Sequence, residues 1–408
     1  MKIHFIGIEG IGVSALVGYY LAKGHKVSGS DLVLGPHKAK NVPKDADLVI
    51  HSPAVQPDNP EVKQAKKLKI KIQTYPQALG DLTKEYFTIA VSGTHGKSTT
   101  CAMISLILIK AGLDPTVIIG TKLKEFGNKN FRIGKSKYLV IEADEWNASF
   151  LNYWPKIIVL TNIEREHLDY YKDLKHILRT YKEYVGHLSK HDILIANQDD
   201  RNILKLKVKS KKFSFKQKES EKLRRILKVP GKHNIYNALA ALTMARTLRI
   251  PDKVSFKALS EYKCVWRRFE LVKKKGITII SDFAHHPTEV RATLQAAREK
   301  FPNKKISCIF QPHQYQRTFY LFDDFVKLFK QAEIDKIIIT DIYDVAGREQ
   351  DEIKQKVSSK KLVKEINKES VIYLNKGQTQ DYIKNNLNQI DVLIVMGAGD
   401  VYKLLDKV

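Results

Sequence analysis

Short apolar runs alternate with amphipathic segments along almost the whole chain. The first such unit begins at KIHFIGI, passes through a glycine-rich turn into the helical pattern SALVGYYLAKG, and returns to a strand at KVSGSD. Apolar strands that are separated by helices are typical of parallel sheets covered on both faces. The pattern therefore predicts an α/β fold built on parallel sheets.

This alternation restarts twice. The pattern resets near residue 84 with a new apolar strand, FTIAVSG, and a third series begins with ITIISDF beyond the proline-marked stretch RIPDK. A chain of 408 residues has room for two to four domains at about 100 to 200 residues each. We therefore predict three domains, with bounds at residues 1–84, 85–266 and 267–408.

The charge of the chain is strongly positive, with 70 Lys and Arg against 44 Asp and Glu and a formal net charge of +26. Much of the excess is lysine spread over ordinary helical patterns, which favours a solvated surface over a nucleic-acid footprint. The basic stretch 205–228 is interpreted as a solvated hairpin or helix face, and contact with nucleic acid or another anionic polymer is left open there. We expect no nucleic-acid partner.

The cysteines and the apolar segments bear on cellular location. Cys101, Cys264 and Cys308 lie far apart in sequence, so they predict neither a disulfide framework nor a zinc site. The apolar N-terminus has one leading lysine, several glycines and no clear cleavage site, and no apolar run reaches the roughly 18 residues of a membrane span. We expect a cytoplasmic protein without membrane insertion.

The segment VSGTHGKSTT resembles a phosphate-binding loop in a shortened form. Only two residues separate Gly93 from Gly96, where an ordinary P-loop has four, and Lys97, Ser98 and Thr99 follow. Glycines allow close approach of the backbone to an anion, and the next helix presents its unpaired N–H groups. Lys97 could neutralise phosphate charge and Ser98 could ligate Mg²⁺, so the loop predicts an ATP site.

Two later strand ends could supply metal ligands. Glu142 ends the run LVIE and is followed by Asp144 and Glu145, while His167 follows the strand IIVLTNI. Carboxylate oxygens are natural ligands of the magnesium that accompanies ATP. A solvated acidic cluster and a structural histidine remain the alternatives.

The first glycine loop predicts a second anion site. Gly7, Gly10 and Gly12 invert the spacing of the dinucleotide fingerprint, and Asp31 ends the next strand, where a ribose-binding acid would be. The loop is a weak NAD signature but a sound diphosphate site at a helix N-terminus. A tight turn for packing is the alternative.

Further polar residues lie near helix starts and strand ends. Asn234 and Asn237 could cap a helix or hydrogen-bond an adenine edge. Arginines can clamp phosphate oxygens, and polar residues at strand ends in parallel sheets face the ligand crevice. The candidates of this second kind are Arg267, Arg268, Asp282, His285 and His286.

Eight blocks in one order make the chain resemble the Mur ligases. The resemblance implies an α/β protein of three domains: a Rossmann-like N-terminal domain that binds UDP-N-acetylmuramate, a central ATPase domain with a parallel sheet, and a Rossmann-like C-terminal domain that presents the amino acid. It also implies a role in peptidoglycan synthesis. The blocks are FIGIEGIGVSAL, SGTHGKSTT, EADE, TNIEREHLD, PGKHNIYNALAA, RRFE, DFAHHPTEV and FQPHQYQRT.

Within that family the blocks are most similar to the branch that joins L-alanine to UDP-N-acetylmuramate. ATP would phosphorylate the lactyl carboxylate of the sugar, and the alanine amine would attack the resulting acyl phosphate. The branch that attaches an intact tripeptide during wall recycling is the nearest alternative, although SFLNYWPK and FQPHQYQRT favour alanine. An inactive scaffold protein and a nucleic-acid-dependent ATPase are the alternatives from other classes.

The resemblance assigns a role to each candidate residue. Lys97, His167, His285 and Arg317 would be catalytic, and Ser98, Glu142 and His167 would organise Mg²⁺. Gly7, Gly10, Gly12, Asp31 and His313 would bind the substrates. ATP would be held by Gly93, Thr94, His95, Gly96, Lys97, Ser98, Thr99, Asn237, Arg268 and Asp282.

The chain departs from the family pattern at four places. Trp146 and Asn147 follow EADE where Ser-Asp is usual, Phe283 replaces a tyrosine, and Gln314 replaces an arginine. The stretch from about residue 205 to PGKHN is far shorter than in the family, which implies that a small β-subdomain is missing. These changes leave the choice between alanine, glycine and serine open, and the oligomeric state is unknown.

Overall fold

The computed structural model describes residues 1–216, 220–274, 276–345 and 349–407. The chain forms two compact units. The first unit contains residues Met1–Glu164, Ile177–Ile226 and Tyr236–Val265, and the second contains Arg165–His176, Leu227–Ile235 and Trp266–Val408.

The first unit begins with a four-stranded parallel sheet. Its order is β2-β1-β3-β4, and buried Ile3, Phe5, Val49 and Ile50 supply its core. The strands are β1 (Lys2–Ile6), β2 (Lys26–Ser30), β3 (Leu48–His51) and β4 (Lys71–Thr74), and the helices are α1 (Ile11–Ala22), α2 (Pro60–Lys67) and α3 (Tyr75–Glu85).

A seven-stranded sheet completes the first unit, with order β11-β10-β9-β5-β8-β6-β7. Neighbouring strands are parallel except for the antiparallel pair β6 and β7. The strands are β5 (Phe87–Ser92), β6 (Thr116–Leu123), β7 (Lys129–Arg132), β8 (Tyr138–Glu142), β9 (Ile157–Leu160), β10 (Ile193–Asn197) and β11 (Lys211–Phe215). The helices that follow these strands are α4 (Lys97–Lys110), α5 (Leu174–Val185), α6 (Ser220–Ile226), α7 (Lys232–Thr247) and α8 (Asp252–Glu261).

The second unit is built on a six-stranded sheet with order β12-β13-β17-β14-β15-β16. Only the edge pair β12 and β13 is antiparallel among its described pairings. The strands are β12 (Glu270–Lys274), β13 (Ile277–Asp282), β14 (Ile306–Phe310), β15 (Lys336–Ile339), β16 (Val371–Tyr373) and β17 (Val392–Met396). The helices are α9 (Pro287–Lys300), α10 (Tyr315–Tyr320), α11 (Phe322–Gln331), α12 (Asp351–Lys354), α13 (Ser359–Ile366) and α14 (Lys376–Asn386).

Local sequence signals explain where several helices begin. Thr74 caps α3 and Asn375 caps α14, each in a reciprocal capping box with a glutamine three residues later. The side chain of Asn59 accepts the Glu61 amide at the start of α2, where Pro60 occupies the first turn. These residues satisfy backbone N–H groups that have no partner inside the helix.

The predicted α/β class with three parallel-strand sheets is confirmed, apart from the antiparallel edge pairs. The domain bounds 1–84, 85–266 and 267–408 remain a prediction. The basic stretch 205–228 does not form a hairpin, because Lys211–Phe215 pairs parallel to β10 as the edge strand β11. The helix α6 that follows is mostly exposed, which agrees with the expected solvated helix face. Residues 217–219 of that stretch lie outside the described residues. Within the described part of the chain, no helix is both long and apolar enough to cross a membrane.

Candidate active site

The predicted ATP loop connects β5 to α4, and its two glycines have no room for a side chain. Gly93 has φ +133° and Gly96 has φ +83°, both in the left-handed region. A Cβ at Gly93 would lie 2.1 Å from Thr161 Oγ1, and one at Gly96 would lie 2.3 Å from Asn237 Oδ1. The shortened loop therefore requires glycine at both positions for conformation and for space.

The segment that follows β9 holds this loop in place. The amides of Thr94 and His95 donate to the backbone and side-chain oxygens of Asn162, each at 2.9 Å. Thr94 Oγ1 accepts the Glu164 amide at 2.8 Å, and Thr161 Oγ1 donates to the His95 carbonyl at 2.6 Å. Sequence reasoning missed these supports, although β9 and β5 are parallel neighbours whose carboxyl ends meet.

Lys97 lies at the first position of α4 with its ammonium surrounded by oxygen acceptors. Its Nζ donates to the Gly93 and Thr94 carbonyls at 2.8 and 3.3 Å, and to Glu145 Oε2 at 2.9 Å. Burial opposes the charge, but the carboxylates of Glu145 and Asp144 outweigh it and raise the pKa of Lys97. The side chain is thus a fixed cation at the loop.

The other residues predicted around ATP lie close to this loop in sequence or in the sheet. Ser98 and Thr99 are buried in the first turn of α4. Glu142 ends β8, which pairs with β5, and its Oε1 accepts the Gly120 amide at 2.8 Å. Asn237 lies inside α7, as does Asn234, so neither residue caps that helix.

The predicted diphosphate loop joins β1 to α1. Gly7 has φ +83°, Gly10 is the N-cap of α1, and Gly12 lies in the first turn of the helix. Asp31 follows β2 directly, and its Oδ2 accepts the Glu9 amide at 3.1 Å. The structure thus brings the three glycines and Asp31 together.

A buried ion pair dominates the candidate residues of the second unit. Arg317 donates from Nε and Nη2 to Glu166 Oε1, each at 2.9 Å, and from Nη1 to the His313 carbonyl at 2.8 Å. Burial disfavours the carboxylate, but Arg317 and nearby histidines hold the pKa of Glu166 well below its usual range. Glu166 was missed in the sequence because it stands one residue before the expected ligand His167.

The histidines of this unit have defined roles in hydrogen bonding. His285 Nδ1 lies 3.0 Å from the Phe283 carbonyl, and burial lowers the pKa of His285 to about 3. His286 Nδ1 accepts the Thr288 amide at 3.2 Å and caps α9. His167 has φ +54°, and its amide donates to Glu166 Oε1 at 2.9 Å.

Asp282 and Arg268 flank Phe283 near the end of β13. The Asp282 oxygens accept the amides of Phe269 and Ala284 at 2.6 and 2.8 Å, and burial raises the pKa of Asp282. Arg268 lies over the Phe283 ring at 4.8 Å from its centroid. Phe283 therefore packs beside charged groups.

Two further positions that were expected to depart from the family pattern have unusual backbone. Gln314 is buried and has φ +73°, immediately before α10. Asn147 and Ala148 have φ +53° and +51° within the 3₁₀ segment Trp146–Asn152 that follows EADE. Left-handed backbone at residues other than glycine costs free energy and often accompanies ligand sites.

The candidate residues are divided between the two units. The first unit contains the two glycine loops with Asp31, Lys97, Ser98, Thr99, Glu142 and Asn237. The second contains His167, Arg268, Asp282, His285, His313 and Arg317.

Models of three domains of one family match this chain. They are described as "Mur ligase family, catalytic domain", "Mur ligase middle domain" and "Mur ligase, glutamate ligase domain", and they match residues 2–87, 91–226 and 267–399. The chain belongs to the Mur ligase family. The resemblance carried by the eight sequence blocks is thereby confirmed.

Individual Mur ligases are similar over nearly the full length. A UDP-N-acetylmuramate–L-alanine ligase of Clostridium acetobutylicum is 41% identical over 449 aligned positions that cover 99% of this chain and 96% of that protein. The crystal structure of the UDP-N-acetylmuramate–alanine ligase of Thermotoga maritima is 28% identical, with a TM-score of 0.78, and covers 100% of this chain and 98% of the other. A murein peptide ligase from Psychrobacter arcticus has a TM-score of 0.75 at 21% identity, covering 100% and 98% of the two chains, which shows the shared fold.

The alignment with the clostridial ligase is longer than this chain. Its 449 positions exceed the 408 residues available, so that Mur ligase contains segments that this chain lacks. The alignment length does not locate these segments, so their placement between about residue 205 and PGKHN stays a prediction.

Proposed function

We propose that this chain joins L-alanine to UDP-N-acetylmuramate at the expense of ATP, giving UDP-N-acetylmuramoyl-L-alanine, ADP and phosphate. The observation that carries the proposal is the intact Lys97 loop in a chain that is 41% identical, almost end to end, to a ligase named for that reaction. The product would enter peptidoglycan synthesis.

The Lys97 loop suits the binding of the ATP phosphates. Gly93 and Gly96 let the backbone approach an anion, and α4 directs its first N–H groups toward the loop. Lys97 is charged and held in place by two carbonyls and by Glu145. We infer that phosphate oxygens compete with these acceptors for the ammonium when ATP binds.

We further propose that Ser98 and Glu142 hold the magnesium ion that accompanies ATP. A buried hydroxyl at the first turn of α4 and a carboxylate at the end of the neighbouring strand are the hard oxygen donors that Mg²⁺ prefers. When bound, Mg²⁺ would neutralise charge on the transferring phosphoryl group.

Residues of the second unit would hold alanine and the reacting carboxylate. Glu166 and the His313 carbonyl fix the Arg317 guanidinium, so its charge is oriented before the substrate arrives. His285 donates a hydrogen bond from Nδ1 to the Phe283 carbonyl, which leaves Nε2 as a hydrogen-bond acceptor for the amino group. With a pKa of about 3, this ring is neutral in the working pH range.

A carboxylate must be activated before an amine can attack it, because it repels nucleophiles and has no good leaving group. In the proposed reaction a lactyl carboxylate oxygen attacks the γ-phosphorus of ATP and displaces ADP. The alanine nitrogen then attacks the carbonyl carbon of the acyl phosphate to give a tetrahedral intermediate. Collapse of that intermediate breaks the bond to the phosphate, which leaves with the former carboxylate oxygen, and the nitrogen loses its extra protons.

This function is tested by measuring phosphate release with all substrates present and with each substrate left out in turn. We expect release from Mg-ATP only when UDP-N-acetylmuramate and L-alanine are both present, with a product heavier than the UDP-sugar by one alanine residue. A requirement for the tripeptide would instead assign the wall-recycling reaction. Activation by RNA or DNA, or no turnover with any of these substrates, would contradict the proposal.

A further inference from the structure

One buried carboxylate lies at the centre of the polar contacts beside the first sheet. Glu61 on α2 is 0% exposed. Its Oε2 accepts from His4 Nε2 at 2.9 Å and from Ser30 Oγ at 2.6 Å. Its Oε1 accepts from His37 Nδ1 at 3.0 Å and from Asn41 Nδ2 at 2.9 Å.

These four contacts use the full capacity of the group. An ionised carboxylate has about four acceptor positions, and each Glu61 oxygen receives two donors. Burial opposes ionisation, but the hydrogen bonds from His4, Ser30, Asn41 and His37 outweigh it and lower the pKa of Glu61 to about 2. Glu61 is therefore ionised at neutral pH, and its orientation is fixed from four directions.

Two of the four donors stand on either side of one loop. Ser30 is the last residue of β2, and His37 follows the loop 31–36. Their side chains also lie within 3.2 Å of each other, between Ser30 Oγ and His37 Nδ1. Glu61 therefore anchors both ends of this loop.

The loop lacks apolar anchors of its own. Leu32, Val33 and Leu34 are 69%, 84% and 65% exposed, so their side chains bury little surface. Burial of apolar area is the usual source of order in a surface segment. The position of the loop thus depends on its polar ends.

Both predicted parts of the UDP-sugar site are attached to these ends. The Ser30 carbonyl accepts the amides of Gly7 and Ile8 at 2.8 and 3.1 Å. The next residue, Asp31, accepts the Glu9 amide on the glycine loop. Ser30 thus connects Glu61 to the glycine loop through its backbone and to Asp31 through the chain.

We propose that Glu61 is a positioning residue for the UDP-sugar, acting through Ser30 and His37 on Asp31 and on the loop Gly7–Gly12. This inference rests on the proposed function, which assigns the UDP-sugar to that loop. Glu61 itself is fully buried and does not touch the substrate. Its contribution is to hold the binding loop in one conformation before the ligand arrives, which reduces the ordering cost of binding.

Kinetics of Ser30→Ala test the inference, because this change removes only the hydroxyl that reaches Glu61. We expect KM for UDP-N-acetylmuramate to rise about tenfold, the effect of losing one hydrogen bond to a charged group. The kcat and the KM values for ATP and L-alanine should stay near those of the wild type. Ser30→Thr, which retains the hydroxyl, should recover most of the affinity.

Ser359→Ala is the matched control, since the Ser359 hydroxyl is also buried and also donates over 2.6 Å, to the Thr340 carbonyl in the second unit. It should leave KM for the UDP-sugar unchanged. Direct titration of UDP-N-acetylmuramate into each variant, with melting temperatures, separates weaker binding from misfolding. Hydrogen exchange at the Glu9 and Val33 amides, both donors to Asp31, should accelerate in Ser30→Ala alone.

Two outcomes would overturn the inference. If Ser30→Ala binds UDP-N-acetylmuramate as the wild type does, Glu61 does not position that site. If Ser30→Ala raises the KM values of all three substrates and lowers kcat as well, the role of Glu61 is only structural. A wild-type chain that fails to bind the UDP-sugar would overturn the proposed function as well, so the two failures are distinguishable.

Discussion

Lys97 is the residue on which the proposed phosphoryl transfer depends most. Gly93, Thr94 and Glu145 hold its ammonium at the loop before ATP binds, so a positive charge is already in place for the phosphate oxygens. Lys97→Met keeps the length of the side chain but removes that charge. We expect kcat to fall by at least about 10² to 10³-fold, the typical effect of losing one such group.

Phosphate release by Lys97→Met, measured beside its circular dichroism spectrum, checks this expectation. Lys110→Met is a suitable control because Lys110 ends the same helix and pairs with Glu261 at the surface. It should retain near wild-type turnover. A well-folded Lys97→Met variant with normal kcat would remove Lys97 from the mechanism.

His285 predicts a pH effect on stability. Burial lowers its pKa to about 3, whereas the unfolded chain has an ordinary histidine near 6.5. Below about pH 6.5 the unfolded state binds a proton that the folded state does not take up until about pH 3. The stability gained from keeping this ring neutral is therefore present above pH 6.5 and is lost as the pH falls.

Denaturant unfolding of wild type and His285→Gln at pH 7 and pH 5 measures this loss. The wild type should lose about 2 kcal/mol more than the variant between these two pH values, at about 1.4 kcal/mol per pH unit. An equal loss in both proteins would show that His285 titrates normally when folded.

At the scale of the element, the sequence predicted the strands and the helices that follow them. It did not predict the contacts that hold the site loops in place. The apolar run FTIAVSG and the helix expected after the glycine loop correspond to β5 and α4. The contacts of Asn162 and Glu164 with the ATP loop depend on β9 lying next to β5. Strand order is a long-range property, so residue spacing could not predict those contacts.

The buried carboxylates beside the site could not be predicted from the sequence for a related reason. Glu61 and Glu166 look like ordinary surface acids in sequence, but each is buried among donors from distant parts of the chain. The motif residues themselves were identifiable because glycine, lysine and histidine have local chemical roles. Their conformation and their pKa values required the folded structure.

Two glycine substitutions can distinguish the effect of steric conflict in the ATP loop from that of backbone strain alone. Gly96→Ala would place Cβ 2.3 Å from Asn237 Oδ1 in addition to straining a residue with φ +83°. Gly112→Ala strains a residue with φ +74° but meets no atom within 4 Å. We expect Gly96→Ala to weaken ATP binding strongly and Gly112→Ala to affect only stability.

Titration of ATP into both variants, followed by thermal unfolding, distinguishes them. Equal losses of ATP affinity would mean that the crowding at Gly96 has no functional consequence. A similar drop in melting temperature with a selective loss of ATP affinity in Gly96→Ala is the expected pattern.

At the scale of the whole molecule, the formal net charge of +26 should favour the two anionic substrates. A positive protein raises the local concentration of anions, and salt screens that attraction over about 8 to 10 Å at ionic strengths near 0.1 M. KM for ATP and for UDP-N-acetylmuramate should therefore rise with KCl concentration. KM for zwitterionic L-alanine should change much less, and an equal response of all three would contradict this explanation.

Resemblance to the family did not predict the structure of the shortened region. The sequence indicated a missing subdomain before PGKHN, and alignment with a clostridial Mur ligase is longer than this chain. The secondary structure of the remaining stretch could not be foreseen, and the structure forms an edge strand, β11, and the short helix α6 there.

The central claim is that ATP activates the sugar carboxylate before the amine attacks, and oxygen tracing tests it most directly. UDP-N-acetylmuramate labelled with ¹⁸O in its lactyl carboxylate would be turned over with Mg-ATP and L-alanine, and the released phosphate analysed by mass spectrometry. Passage through an acyl phosphate predicts one labelled oxygen in each phosphate. Phosphate without label, formed together with the alanine adduct, would contradict the account.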